Sequence, residues 1–98
     1  MVMQRKFLLG QVRATQRVLK ALSNAHQDVR NFIKRHAAGD WGDLPEEVKQ
    51  ANDRALEHGG RLRSQYLLST GRVLLIITEA DRSDTLLLLP TDLPDETI

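Results

Sequence analysis

The residues best suited to chemistry lie in one short stretch near the middle of the chain. His36 is followed by Asp40, Trp41 and Asp43 within the segment 36–43 (HAAGDWGD). A carboxylate beside a histidine is the smallest pair that can orient a base for proton transfer. Two carboxylates and a histidine can also hold a divalent cation. The spacing therefore allows a small metal-dependent hydrolase at His36, Asp40 and Asp43.

The same residues have structural roles that compete with this interpretation. His36 lies on the apolar face of a predicted helix, and Asp43 stands where it can cap the next helix. Trp41, the only tryptophan, can anchor the edge of the core. We therefore expect no catalytic residue, no metal and no cofactor, and we treat Asp40, Trp41 and Asp43 as candidate binding residues.

A second polar cluster, 78–83 (TEADRS), follows a predicted strand. Glu79, Asp81 and Arg82 crowded at a strand end could bind a polar ligand or the charged groups of a partner. They could equally form a tight turn in which Asp81 and Ser83 bond the backbone while Arg82 pairs with an acid. In a third interpretation, Arg82 or Asp81 reaches the Asp40–Asp43 loop and fastens it.

Charge is distributed unevenly along the chain. Residues 1–37 carry eight basic side chains and one acid, whereas residues 38–98 carry six basic and twelve acidic ones. Arg30, Lys34 and Arg35 on the second helix could touch nucleic-acid phosphates. Only four aromatic residues are available for base stacking, and the two oppositely charged halves could simply attract one another. Nucleic-acid binding is therefore the alternative function rather than the leading one.

Length and composition describe a small globular protein. Ninety-eight residues with 41% hydrophobic and 28% charged side chains form one domain, which we place at residues 1–90, followed by a flexible acidic tail at 91–98. Without cysteine, the chain has no disulfide and no thiolate site. The longest wholly apolar run, Val73–Ile77, is too short to span a bilayer, so we expect no membrane association and a cytoplasmic location.

The two apolar runs near the C-terminus predict the centre of a sheet. Val73–Ile77 and Leu86–Leu89 flank a compact polar turn, and neither alternates with polar residues, as is typical of strands covered on both faces. The segment 61–69 alternates as a strand does, and Thr70 and Gly71 suit the turn that joins it to the next. These strands form an antiparallel meander. A Leu86–Leu89 strand left at an open edge would favour self-association, so a homodimer is one expectation.

Three helices are expected before the meander. One spans about 28–37, and another begins at the segment 43–47 (DLPEE) and closes at Gly59 and Gly60. The N-terminal region has two interpretations: one helix reaching Leu22, or a strand at about 6–13 followed by a helix at about 16–23 capped by Thr15. The fold class is α+β, with about three helices on one face of an antiparallel sheet of three or four strands.

Three segments carry a resemblance to a known family. The stretches 36–43 (HAAGDWGD), 77–83 (ITEADRS) and 87–90 (LLLP) occur in the order found in small bacterial proteins of plasmids and integrative elements, often labelled plasmid-related proteins. The likeness extends from about Phe7 to Pro90, and the segment 9–15 (LGQVRAT) resembles the family's start, which favours the strand interpretation there. The resemblance implies an accessory factor of a mobile element and supplies no catalytic residue.

These observations favour a non-enzymatic protein that acts by binding another, unidentified protein or a second copy of itself. The absence of a glycine-rich nucleotide loop, a nucleophile motif or a compact zinc pattern in the sequence supports this expectation. The alternatives are a nucleic-acid-binding accessory protein using Arg30, Lys34 and Arg35, and the small hydrolase described above.

Overall fold

The computed structural model describes residues 5–93. In chain order its elements are strand β1 (Gln11–Ala14), helices α1 (Gln16–Ala25), α2 (Val29–Ala37) and α3 (Glu46–His58), strands β2 (Leu62–Leu67), β3 (Val73–Thr78) and β4 (Asp84–Leu88), and a 3₁₀ turn at Pro90–Asp92. The α+β class with three helices is confirmed. Among the described residues, no helix combines the length and apolar character needed to cross a bilayer.

The four strands form one mixed sheet in the order β1-β4-β3-β2. The meander β2-β3-β4 is antiparallel, as predicted, but β1 pairs with β4 in parallel, with Val12 opposite Thr85 and Ala14 opposite Leu87. The expectation of a purely antiparallel sheet was therefore wrong in this one pairing. All three helices lie between β1 and β2 in the chain, and they carry it to the far edge of the sheet. The meander then returns strand by strand toward β1, so that β4 lies beside β1 and runs in the same direction.

The helices cover one face of the sheet and form the core with it. Leu74 and Ile76 of β3 and Leu87 of β4 are fully buried beneath α1 and α2. Leu75 and Leu88, on the opposite face of the same strands, are only 1% and 2% exposed. The inner position of these two strands is thus confirmed, and burial of this kind stabilises each leucine or isoleucine by about 2 kcal/mol.

The N-terminal strand is shorter than predicted. It begins at Gln11 rather than near residue 6, because Gly10 adopts a positive φ of 64° and turns the chain. A Cβ atom at Gly10 would overlap the backbone carbonyl of Ser83, so the close approach requires glycine. Thr15 caps α1 as expected, accepting a hydrogen bond from the Val18 amide at 3.1 Å. The single-helix interpretation of this region is wrong.

The second and third helices differ in how they begin. Asp28 caps α2 by accepting a hydrogen bond from the Arg30 amide at 2.9 Å. Asp43 does not cap α3, contrary to expectation, since the N-cap position is held by Pro45 and no side chain caps this helix. The backbone of Asp43 pairs instead with the edge of β2, and its side chain is exposed. Asp43 also lies three positions before Glu46, whereas a capping residue directly precedes the first helical residue.

The chain beyond β4 turns back against the start of α1. In the 3₁₀ turn, the Asp92 carboxylate accepts hydrogen bonds from the Thr15 hydroxyl at 2.7 Å and from the Leu89 amide at 2.9 Å. The predicted acidic tail therefore starts inside an anchored turn. Its last five residues, 94–98, lie outside the described residues.

Candidate functional site

Trp41 is an anchor of the core. Its side chain is 4% exposed, stacks on Phe7 with ring centroids 6.1 Å apart and meets His36 edge-on at 5.8 Å. The indole Nε1 donates a hydrogen bond to the Asp53 carboxylate at 3.0 Å. The apolar part of the indole is thus packed against aromatic rings, and its N–H has a hydrogen-bond acceptor within the fold.

Asp40 is engaged by its neighbours. One carboxylate oxygen lies 2.7 Å from Arg35 Nε, and the other accepts the Gly42 amide at 3.2 Å. The Arg35 hydrogen bond holds the pKa of Asp40 below its usual value. The Arg35 guanidinium in turn stacks over the Tyr66 ring at 4.5 Å. Burial raises the pKa of Tyr66 to about 12, so its hydroxyl stays protonated and donates to the Asp40 carbonyl at 2.6 Å.

The loop that carries these residues covers the outer edge of β2. The Gln65 amide donates to the Trp41 carbonyl at 3.0 Å, and the Asp43 amide donates to the Gln65 carbonyl at 2.6 Å. Gly42 lies between them with a φ of 80°, and a Cβ atom there would overlap the Gln65 carbonyl. This stretch of the edge is therefore closed to any further strand.

The side chain of Asn52 covers the next part of the same edge of β2. Its amide nitrogen donates to the Arg63 carbonyl at 2.7 Å, and its amide oxygen accepts from the Arg63 amide at 3.1 Å. The side chain thus pairs with β2 as a neighbouring strand would. Sequence reasoning missed this role, and the only signal was a polar residue on the inner face of an amphipathic helix.

His36 is buried and uses both ring nitrogens. Nδ1 lies 2.5 Å from the Ser64 hydroxyl, and Nε2 lies 2.9 Å from the Thr78 hydroxyl. Desolvation lowers the pKa of His36 to about 4, so the ring is neutral at pH 7. Because both hydrogen-bond partners belong to strands, the His36 ring faces the sheet and not Asp40.

The hydrogen-bond chain beyond His36 determines which nitrogen carries the proton. The Leu9 carbonyl can only accept, so the Thr85 hydroxyl donates to it, at 2.7 Å. Thr85 must then accept from Thr78 at 2.7 Å, and Thr78 must accept from His36. His36 is thus protonated on Nε2, and Nδ1 accepts from Ser64. The chain of bonds links α2 to β2, β3 and β4.

The convergence expected for a hydrolase does not occur. His36 points into the core, Asp40 is paired with Arg35, and the exposed Asp43 is bound through its backbone. Within residues 5–93, no three His, Cys, Asp or Glu side chains are grouped so as to hold a metal ion.

The second polar cluster is a turn built around Arg82. This residue has a φ of 62°, and its guanidinium donates to four backbone carbonyls, two of them at the end of α3. The acceptors are Gly60 (2.6 Å), Glu79 (3.0 Å), Ala80 (3.1 Å) and Ala55 (3.1 Å). The Arg82 guanidinium also lies 5.8 Å from the centroid of the Phe7 ring. Trp41 stacks on the same phenylalanine ring. Arg82 therefore fastens α3 and does not contact the Asp40–Asp43 loop directly.

The acids of this turn have local partners. The Asp81 carboxylate accepts from the Ser83 hydroxyl at 2.6 Å and from the Ser83 amide at 3.0 Å, as predicted for a tight turn. Glu79 pairs with Arg61 at 3.0 Å. Among residues 5–93, no hydrogen bond or ion pair joins this turn to the Asp40–Asp43 loop, so the two candidate clusters are separate.

The basic residues of α2 are largely neutralised. Arg30 pairs with Asp28 at 2.7 Å, Arg35 pairs with Asp40, and Lys34 is exposed. Two further ion pairs join the basic and acidic halves of the chain, Arg13 with Asp84 at 3.3 Å and Arg17 with Asp92 at 3.8 Å. The uneven charge along the sequence therefore serves in part to join the two halves.

The outer edge of β1 contrasts with the covered edge of β2. The Gln11 amide donates to Ser83 at 2.9 Å and the Thr15 amide donates to Leu87 at 3.0 Å, so the odd-numbered residues face β4. The peptide groups of Val12 and Ala14 consequently point away from the sheet. The Val12 side chain is 41% exposed, and the nearby Leu8 is 73% exposed. In the described part of the chain, no strand lies beyond β1.

Comparison of the chain with known proteins finds no matching family model, no matching curated protein and no matching solved structure.

Proposed function

We propose that this protein is a non-enzymatic binding protein, an accessory factor of a mobile genetic element, whose partner adds an extended segment to the outer edge of β1. The observation that supports the proposal is the contrast between the two sheet edges. Asn52 and the Trp41–Asp43 loop close the edge of β2 at Arg63 and Gln65, whereas none of residues 5–93 pairs with the outer edge of β1.

An uncovered edge offers backbone hydrogen bonds to another chain. The N–H and C=O groups of Val12 can pair with an extended peptide, as in other cases of strand addition. The side chains next to such a peptide are the exposed Val12 and, on the opposite face, Arg13, which is 59% exposed. A fitting segment therefore carries an apolar residue beside Val12, whereas Arg13 already has an acidic partner in Asp84.

A second copy of the chain fits this edge less well. Two-fold pairing would bring together two β1 strands that each carry one cation, Arg13, and no acid. Like charges across a strand pair are destabilising. The proposed occupant is therefore another protein.

The proposal is tested with Val12→Pro and Val12→Thr. Proline removes the outward N–H of Val12 and leaves the bonds to β4 intact, since those come from the odd-numbered positions. Threonine keeps that N–H and the branched shape, and so serves as the matched control. Peptides selected on the wild-type protein from a random library are the probes, and circular dichroism verifies that both variants fold.

We expect the selected peptides to carry an apolar residue beside Val12. They should bind wild type and Val12→Thr alike and bind Val12→Pro about tenfold or more weakly, as the loss of one backbone hydrogen bond implies. Equal binding to Val12→Pro, or failure to select any peptide that distinguishes it, would refute the proposal.

A further inference from the structure

A cavity of about 260 Å³ lies between α1 and the end of the sheet where β2 turns into β3. Arg17, Lys20 and Asn24 line it from one side of α1, and Arg72 and Thr91 line it from the opposite side. Residues at 17, 20 and 24 are neighbours on one helical stripe, so their polar ends meet over the same space. None of these side chains belongs to the surface proposed above for partner binding.

The cavity has an excess of positive charge. Three cationic side chains line it, and in the part of the chain that the structure describes Asp92 pairs with one of them, its Oδ1 lying 3.8 Å from Arg17 Nε. The other Asp92 oxygen is held by the Leu89 amide and the Thr15 hydroxyl. These hydrogen bonds, that of Leu89 foremost, lower the pKa of Asp92, so the carboxylate stays ionised at neutral pH. Among the described residues, three positive charges and one negative charge leave a net charge of +2 around the space.

The size and lining limit the class of ligand. A volume of about 260 Å³ is several times the ~30 Å³ share of one water molecule and smaller than a typical drug-sized pocket. The amide of Asn24 and the hydroxyl of Thr91 add neutral hydrogen-bonding groups, while Ala21 and Leu89 supply an apolar surface. An anion of charge −2 with a small organic group matches all three properties.

We propose that this cavity binds a small phosphate monoester through Arg17, Lys20 and Arg72. A monoester is largely dianionic at neutral pH, since its second pKa is about 6. A nucleic-acid backbone phosphate is a diester with a single charge. Two of the three α2 cations that could extend a polyanion track, Arg30 and Arg35, are paired with Asp28 and Asp40, which favours one compact anion over a strand of nucleic acid.

The test is a titration followed by ¹⁵N amide shifts at low salt. The probes are phenyl phosphate, a monoester, and methyl phenyl phosphate, a diester of similar size. Arg72→Gln and Lys20→Gln remove exposed cations of the cavity, and Lys34→Gln removes an exposed lysine of α2 as the matched control.

Phenyl phosphate should produce saturable shifts at residues 17–24, 72 and 89–91. Arg72→Gln and Lys20→Gln should each weaken its binding about fivefold, the loss expected for one exposed charge contact, and Lys34→Gln should leave it unchanged. Affinity should rise as the pH is raised through ~6, where the second proton leaves the phosphate.

Three results would overturn the proposal. The first is the absence of saturable shifts at the cavity. The second is diester binding as tight as monoester binding, which would indicate a backbone phosphate. The third is an equal loss of affinity in Lys34→Gln, which would indicate diffuse attraction of anions to basic residues. Because Val12→Pro lies outside the cavity, its effect on peptides tests the proposed function separately.

Discussion

Lowering the pH from 7.5 to 5 should destabilise this protein through His36. The side chain is completely buried, and its environment of Phe7, Trp41, Ser64 and Thr78 contains no charge to stabilise an imidazolium. In the unfolded chain the same ring titrates at its ordinary value of 6.5, whereas in the fold its pKa is about 4. Below pH 6.5 the unfolded state therefore binds a proton that the native state does not.

The sign and size of the effect follow from this difference. A depressed histidine pKa means that stability is full above the unfolded pKa and is lost as the pH falls toward the folded one. With one pKa unit worth about 1.4 kcal/mol, the loss is about 2 kcal/mol at pH 5 and about 3 kcal/mol at pH 4. For a domain whose total stability is roughly 5–15 kcal/mol, such a change is readily measured.

Urea denaturation at several pH values between 5 and 7.5 measures the effect. His36→Gln is the control, because glutamine can still donate and accept a hydrogen bond in this position but does not titrate. We expect this variant to be less stable than wild type at pH 7.5 but nearly independent of pH down to 5. The aspartates with lowered pKa values, such as Asp40 and Asp92, remain ionised in both states over this range and contribute little.

An identical pH dependence in wild type and His36→Gln would refute the reasoning. So would a wild-type protein that is as stable at pH 5 as at pH 7.5. Nitrogen NMR provides an independent check, since the bonding order through Thr78 and Thr85 requires the proton on Nε2.

Three substitutions test other contacts of the fold by the same denaturation assay. Gly42→Ala should lower the free energy of unfolding by about 2 kcal/mol or more. Gly71→Ala is its control, because Gly71 has a similarly positive φ but nothing within 4 Å, so that this variant should lose only the energy of backbone strain. Equal losses in the two variants would contradict the close contact at Gly42. Asn52→Asp should cost about 2–3 kcal/mol because it sets a carboxylate oxygen against the Arg63 carbonyl, and a variant as stable as wild type would disprove the paired geometry. Arg82→Lys should lose about 2 kcal/mol since an ammonium group cannot reach four carbonyls, and an unchanged unfolding free energy would show that the guanidinium fork is not needed.

Local patterns in the sequence were sufficient for most of the elements. Thr15 was recognisable as a helix cap, and the apolar runs at 73–77 and 86–89 as inner strands, because each signal depends on neighbours within a few residues. The cap predicted at Asp43 was wrong for a related reason. A cap motif is local, but the backbone of Asp43 is held by Gln65, 22 residues away.

The candidate sites show the limit of residue type as a guide. Arg82 was expected to pair with an acid, yet it donates to backbone carbonyls that include that of Ala55 in α3. Asp40 was a candidate binding residue, and its partner within the fold is Arg35, which stacks on Tyr66. Residue types reveal which groups require a partner. They do not reveal whether the fold or a ligand supplies it.

Local periodicity was enough to predict an α+β domain with three helices and a C-terminal meander, since helical and strand periodicities are properties of adjacent residues. Three features are visible only in the folded chain: the parallel pairing of β1, the closure of one sheet edge by Asn52, and the meeting of Arg17 with Arg72 at one cavity. These features join residues that are far apart in the chain. Their formation depends on the turn at Gly10 and on which face the helices cover, and no short stretch of sequence specifies either.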